Sequence, residues 1–169
     1  MSIRVLSADD AHHYQVLRLK ALKTDPEAFA STYEREVQFS NETIVERVTS
    51  STNKFVLGYF HNGALIGNVT FLREGISKAA HKGNVFGMYV EPEFRSKGIG
   101  KKLLLALIKE AKTMEGLEQI NLTVGHNNKS AKKLYQSVGF ELYGTERHSL
   151  KINGQYIDED LMVLFLDKK

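Results

Sequence analysis

Residues 90–104 read "VEPEFRSKGIGKKLL", a short basic segment set between two different neighbours. Before it stands "NVFGMYV", residues 84–90, a mostly apolar run of strand length, as expected for a central strand with both faces covered. After it, Gly98 to Met114 reads as a helix, so the segment is a strand–turn–helix junction. Gly98 and Gly100, two residues apart at the helix start, let the backbone pass close to a ligand without an intervening Cβ. The first helical turn adds unpaired N–H groups and the positive end of the helix dipole, and both favour a phosphate. Arg95, Lys97 and Lys101 supply charge around the rim.

Upstream of this junction, "KFVLGYF" and "ALIGNVTFL" read as two strands joined at Asn62-Gly63, a dipeptide that accepts the positive backbone angles of a tight hairpin. Further back, "IRVLS" is a first strand. An amphipathic helix from Ala8 to Lys23 follows, with Tyr14, Leu17 and Ala21 at helical spacing. Pro26 breaks that helix, and a second runs from about Asn41 to Ser50 behind a cap at Ser40 or Asn41. Downstream come the strand "INLTV", a helix from Asn128 to Val138, and a closing hairpin that turns at Asn153-Gly154. The order β α α β β β α β α β β predicts an α/β fold, one mixed sheet of about seven strands with helices on both faces. A single domain over residues 1–169 follows from the length and from the absence of any linker-like stretch.

Composition narrows the chemistry. At 42% hydrophobic and 25% charged, the chain is an ordinary globular sequence. It has no cysteine, which removes disulfides, thiol nucleophiles and thiolate metal sites. No apolar stretch approaches the roughly 20 residues of a membrane span, so the expectation is a cytoplasmic protein with no membrane partner. The net charge of +3 is 23 basic less 20 acidic residues, and it is concentrated locally. Arg95, Lys97, Lys101, Lys102, Lys109 and Lys112 face the single acid Glu110, with Lys129, Lys132 and Lys133 following. Apart from Tyr135 this basic face lacks interleaved aromatics, so a small anion is expected and no nucleic acid. The six histidines show no metal-ligand spacing, and no metal is expected; His12 and His13 stand side by side and read as surface residues.

Known phosphate loops do not match. A Walker A loop needs glycine where Arg95 stands and Ser or Thr where Lys102 stands; a dinucleotide fingerprint needs glycine at Leu103. About 25 residues on, "VGHNNKSAKKLYQSVGFELYG" places Asn128 as cap of a helix whose apolar face is Ala131, Leu134, Tyr135 and Val138. Gly139 ends that helix and Phe140 begins the next strand. Arg95-x-x-Gly98-x-Gly100 and Asn128-x-x-Ala131-x-x-Leu134-Tyr135-x-x-x-Gly139-Phe140, in this order with one strand between, resemble the two signatures of the GCN5-related N-acetyltransferase (GNAT) superfamily. The element order is similar to that family's fold along the whole chain.

The resemblance implies a V-shaped splay between "NVFGMYV" and "INLTV" that admits the pantetheine arm of acetyl-CoA. Backbone groups of Met88, Tyr89 and Val90 would pair with that arm. Amides of Arg95, Ser96, Lys97, Gly98, Ile99, Gly100 and Lys101 would bind the pyrophosphate. Asn128 matches a residue that bonds the pantetheine, Lys132 or Lys133 would approach the 3′-phosphate, and Tyr135 matches the usual proton donor to the departing thiolate. The implied activity is acetyl transfer to a primary amine of a small molecule or protein. The alternative is a non-catalytic CoA-binding regulatory module, and a homodimer is a further expectation.

Such a transfer needs a neutral amine and a stabilised oxyanion, yet a lysine-like amine has a pKa of about 10.4, so a base or water chain is required. Some relatives carry a glutamate partway along the fourth strand; here no carboxylate appears until Glu91. Glu91 is the first candidate base, with Glu34, Glu36, His126 and His148 beside it. "TDPEAFASTYERE" holds Asp25, Glu27, Glu34 and Glu36 against Arg35 alone, a rim that would steer a cationic amine, the alternative being an ordinary solvated loop.

Overall fold

The structure, a computed structural model, describes residues 1–166; positions 167–169 of the single-domain reading lie outside the described residues. Seven strands form one sheet in the order β1-β2-β3-β4-β5-β7-β6. They are β1 (Ser2–Val5), β2 (Lys54–His61), β3 (Ala64–Arg73), β4 (Lys82–Val90), β5 (Gln119–Gly125), β6 (Glu141–Ile152) and β7 (Gln155–Phe165). All neighbours are antiparallel except β4 and β5. Those two run parallel because α4 (Ile99–Ala111) crosses between them.

Side chains of β2 show how the two faces are covered. Phe55, Leu57 and Tyr59 join the cluster built on Leu103, Leu104 and Leu107 of α4 and Tyr135 of α5 (Lys129–Ser137). Val56, between them, joins Tyr14 of α1 (Ala11–Thr24) and Val48 of α3 (Asn41–Val48) on the other face. This is the two-residue period of a strand buried on both sides. The three α4 leucines are fully buried, and each contributes roughly 1.5–3 kcal/mol of transfer free energy.

Three local features differ from the sequence expectation. A short helix α2 (Tyr33–Glu36) precedes α3, capped by the Thr32 hydroxyl accepting from Arg35 N; four residues are too few to show a period. The first helix begins at Ala11 after a 3-10 turn over Ala8–Asp10. There Asp10 takes both Arg4 nitrogens at 2.8 and 2.9 Å, and the Arg4 guanidinium holds the Asp10 carboxyl down at about 2. Phe86 is 50% exposed although it lies on a central strand, because α1 and its cluster of Leu17, Ala21 and Phe29 close over Tyr89 instead.

The splay is present. β4 pairs with β5 only at Lys82–Gln119, Gly83–Ile120 and Asn84–Asn121, after which β5 follows β7 and β4 does not. From Val85 to Val90 the β5-facing edge of β4 therefore carries no strand. On its other edge the register jumps from Thr70–Phe86 to Asn68–Tyr89, one extra residue on β4. Gly87 absorbs that bulge at a φ of 62°, a conformation that glycine adopts without the Cβ penalty.

Candidate active site

A cleft of about 1050 Å³ opens where β4 and β5 part. Met88, Tyr89 and Val90 wall one side, with the loop from Arg95 into α4 above them; the loop from Gly125 to Asn128 walls the other. His148 and Tyr156 of the β6–β7 hairpin and Asp25 and Glu27 of the segment after α1 complete the rim.

The loop into α4 presents a run of unpaired amides to the cleft. Ser96 and Gly98 both have left-handed backbones, φ 63° and 79°, and the first helical bond is Lys102 N to Gly98 O at 3.1 Å. Among the described residues, the amides of Ser96 through Lys101 take no partner, so six consecutive donors remain available. A Cβ on Gly98 would meet nothing within 4 Å, and its conformation alone calls for glycine. Gly100 has another reason: a Cβ there would stand 3.0 Å from Met88 Cε and 3.1 Å from Leu134 Cδ2. It permits α4, β4 and α5 to pack closely while its amide stays in the cleft lining.

Side-chain charge is arranged differently from the expectation. Arg95 donates to Val90 O at 2.8 Å and to Asp25 Oδ2 at 2.7 Å, so its guanidinium is already engaged. Lys101 lines the cleft beside the free amides. Asn128 caps α5 by accepting from Ala131 N at 3.2 Å, which leaves its N–H donors for the cleft that it lines. Lys132 does not reach outward: its ammonium meets Asp160 Oδ2 at 2.6 Å, inside the fold. Of the two lysines expected near the 3′-phosphate, Lys132 is thus paired with Asp160 here, while Lys133 is exposed.

Tyr135 is buried at 8% exposure, its ring edge-on to Phe140 at 5.9 Å. Ala131 and Leu134 line the cleft, and Tyr135 stands one turn beyond Ala131 on the same helix. Burial pushes its hydroxyl up to about 12, so at neutral pH it carries its proton. No described residue bonds that hydroxyl, which leaves it available as a donor.

Glu91 is turned away from the cleft. Its Oε2 pairs with Lys20 at 3.0 Å, and it lines a separate depression of about 390 Å³ with His13 and Leu17. Glu34 is exposed and Glu36 is fully buried, the latter against the expectation of a solvated loop. Arg18 Nε and Arg47 Nη1 meet Glu36 at 2.9 and 2.7 Å. Of the four carboxylates in the acidic segment, Asp25 and Glu36 are thus already matched by arginines, which halves the charge available to steer a cation.

His126 and His148 both line the cleft. The His148 ring stacks on Tyr156 at 4.1 Å, and its amide donates to Asp158 Oδ1 at 2.8 Å. His126 has a more specific partner, Asp160 of β7, which sequence reading passed over. Asp160 is fully buried; its Oδ1 accepts from His126 Nδ1 at 2.9 Å and from Thr145 Oγ1 at 2.8 Å. Its Oδ2 meets Lys132 as an ion pair set off the hydrogen-bonding angle. Burial alone would raise the Asp160 carboxyl, and Lys132, His126 and Thr145 outweigh it, holding it at about 2. A carboxylate only accepts, so Nδ1 donates to Asp160, and in the neutral form of this half-exposed ring Nε2 is the acceptor.

Among the described residues, no group of three or more His, Asp or Glu side chains is placed to hold a metal. No helix there is long and apolar enough to cross a membrane.

The open edge of β4 continues into a run of free amides, an arrangement with room for an extended ligand that ends in an anion. Residues 3–161 match the acetyltransferase (GNAT) domain family, and the chain belongs to it. By that membership it is an acetyl-CoA-dependent N-acetyltransferase. L-amino acid N-acetyltransferase AaaT of Escherichia coli (strain K12) is 25% identical over 158 residues, 94% of this chain and 95% of the relative. Spermine/spermidine N(1)-acetyltransferase of Bacillus subtilis (strain 168) is 29% identical over 107 residues, 60% of this chain and 66% of the relative. The yncA protein of Salmonella typhimurium, solved with its cofactor acetyl-CoA, shares the fold at a TM-score of 0.86 and 22% identity, covering 100% of this chain and 95% of that one.

Proposed function

We propose that this chain, acting as a single cytoplasmic domain, transfers the acetyl group of acetyl-CoA to a primary amine of a small molecule or protein by direct attack on the thioester. The carrying observation is the run of six unpartnered amides, Ser96 to Lys101, at the end of the unpaired β4 edge. Those amides and Lys101 would hold the diphosphate, and the backbone of Met88, Tyr89 and Val90 would take the arm as though it were a strand. Asn128 would donate to the same arm from the opposite wall. Acetyl-CoA supplies an acyl group already activated as a thioester.

The chain's own residues move the protons. Tyr135 donates to the leaving sulfur, a role that fits a buried hydroxyl protonated at every working pH. His126 accepts the proton of the incoming amine at Nε2, directly or through water, with Asp160 fixing its tautomer through Nδ1. Of the acids and histidines that were candidates for this task, only His126 both lines the cleft and is oriented by a buried carboxylate.

His126→Gln tests this assignment. General-base loss typically costs 10²–10⁴-fold, so kcat/KM for a strongly basic amine should fall about 100-fold, with acetyl-CoA affinity held within about twofold. A weakly basic acceptor, neutral without help, should be affected far less. An equal fall for both acceptors would remove His126 from the proton path.

A further inference from the structure

We infer that the acceptor is a primary amine bearing a carboxylate, an amino acid or a molecule of that chemistry, and that Arg18 binds the carboxylate. This narrows the acceptor class and rests on the N-acetyltransferase reading above.

Arg18 lies on α1 with its side chain 11% exposed. One edge of its guanidinium is spent on Glu36, Nε to Oε1 at 2.9 Å and Nη2 to Oε2 at 3.0 Å. Arg47 adds a second cation to the same carboxylate at 2.7 Å. Two positive charges thus share one negative charge, and the cluster carries an unmatched +1. Guanidinium has five N–H donors; Nη1 and the outer hydrogen of Nη2 form a second fork. Among the described residues Nη1 has no partner, and it is not among the buried polar atoms sealed from solvent.

That free fork faces a particular place. Nη1 stands 3.7 Å from the position a Cβ would occupy on Gly87, with Thr70 Oγ1 3.8 Å from the same point. Gly87 is the bulge of β4 and immediately precedes Met88, where the cleft begins. A side chain at residue 87 would fill the space before the arginine. The Phe29 ring lies under the guanidinium at 4.8 Å. An unmatched, partly desolvated cation over one aromatic ring, facing the residue that precedes Met88 of the cleft wall, matches a carboxylate in charge and fork geometry. A purely cationic acceptor would bring like charge against it in a medium of low dielectric.

The test follows thiol release from acetyl-CoA with L-amino acids, the corresponding amino-acid carboxamides and spermidine, using the chain and its Arg18→Lys variant. Each amino acid should exceed its own carboxamide by about 10–100-fold in kcat/KM, because the amide leaves the arginine's charge unpaired. Lysine keeps a cation opposite Glu36 but loses the second fork. Arg18→Lys should therefore narrow the preference to about threefold, mainly through KM, with acetyl-CoA affinity unchanged. Equal or faster use of carboxamides or spermidine by the unaltered chain overturns the carboxylate site and leaves the acetyltransferase reading intact. An undiminished preference in Arg18→Lys overturns the role of Arg18. Acetyl-CoA binding without turnover of any amine overturns both readings.

Discussion

Tyr135→Phe is expected to lower kcat about 100-fold while acetyl-CoA affinity stays within about twofold. The magnitude follows from losing one general acid, typically 10²–10⁴-fold. The separation of kcat from affinity follows from position: the ring packs on Phe140 and remains in phenylalanine, and only the hydroxyl disappears. Because burial holds that hydroxyl up at about 12, it does not titrate across the neutral range, and the deficit should be the same from about pH 6 to pH 9. Steady-state kinetics beside a calorimetric titration of acetyl-CoA measures both quantities. Unchanged kcat across that range would remove Tyr135 from the reaction.

Glu36→Gln is expected to destabilise the fold by about 3–5 kcal/mol, a melting temperature lower by roughly 10 °C. The carboxylate is fully buried between Arg18 and Arg47, and a neutral amide leaves two guanidinium groups facing one another. Burial alone would raise the Glu36 carboxyl; Arg18, Ser31 and Arg47 instead bring it from an ordinary 4.5 to about 2. A depressed carboxyl contributes stability above its unfolded value and loses it as pH falls toward its folded value. The chain should therefore lose stability from about pH 4.5 down to about 2. Asp10 and Asp160, each lowered to about 2, add in the same direction. In Glu36→Gln that acid-sensitive share is smaller, so melting curves recorded against pH should converge on those of the unaltered chain in acid. A variant melting with the unaltered chain at neutral pH would mean that the Glu36 cluster contributes nothing to stability.

What could be read from sequence was what is local. The Asn62-Gly63 and Asn153-Gly154 turns, the Gly98 junction and the Asn128 cap each depend on a few consecutive residues, and each lies where the pattern places it. The alternation of strands and helices was enough to foresee the seven-stranded sheet, while the splay was foreseen only from the family resemblance. Helix α2 escaped notice because one turn has no periodicity.

Charge pairing across the chain was not legible. Glu36 reads as one acid in a polar segment until α1 and α3 bring Arg18 and Arg47 to it from 18 and 11 residues away. Lys132 lies near the start of α5 and reads as outward-facing; the covered Asp160, 28 residues on in β7, draws it inside. A signal for Asp160 was present, since it shares a strand face with Met162, and an inward aspartate on a strand needs partners. Gly100 was read as letting the backbone pass close to a ligand; the structure adds a packing reason not legible locally, since a Cβ there would meet Met88 and Leu134. The run of free amides follows from Gly98 and the helix start, which are local in sequence, whereas the His126–Asp160 pair joins residues 34 apart.

The most direct test of the account is to incubate the purified chain with acetyl-CoA and a mixed pool of primary amines, following free thiol and the masses of the amines together. The account predicts thiol release that requires an amine and is matched, mole for mole, by an N-acetylated product. Intact acetyl-CoA with every amine, or thiol released without any acetylated amine, would contradict it.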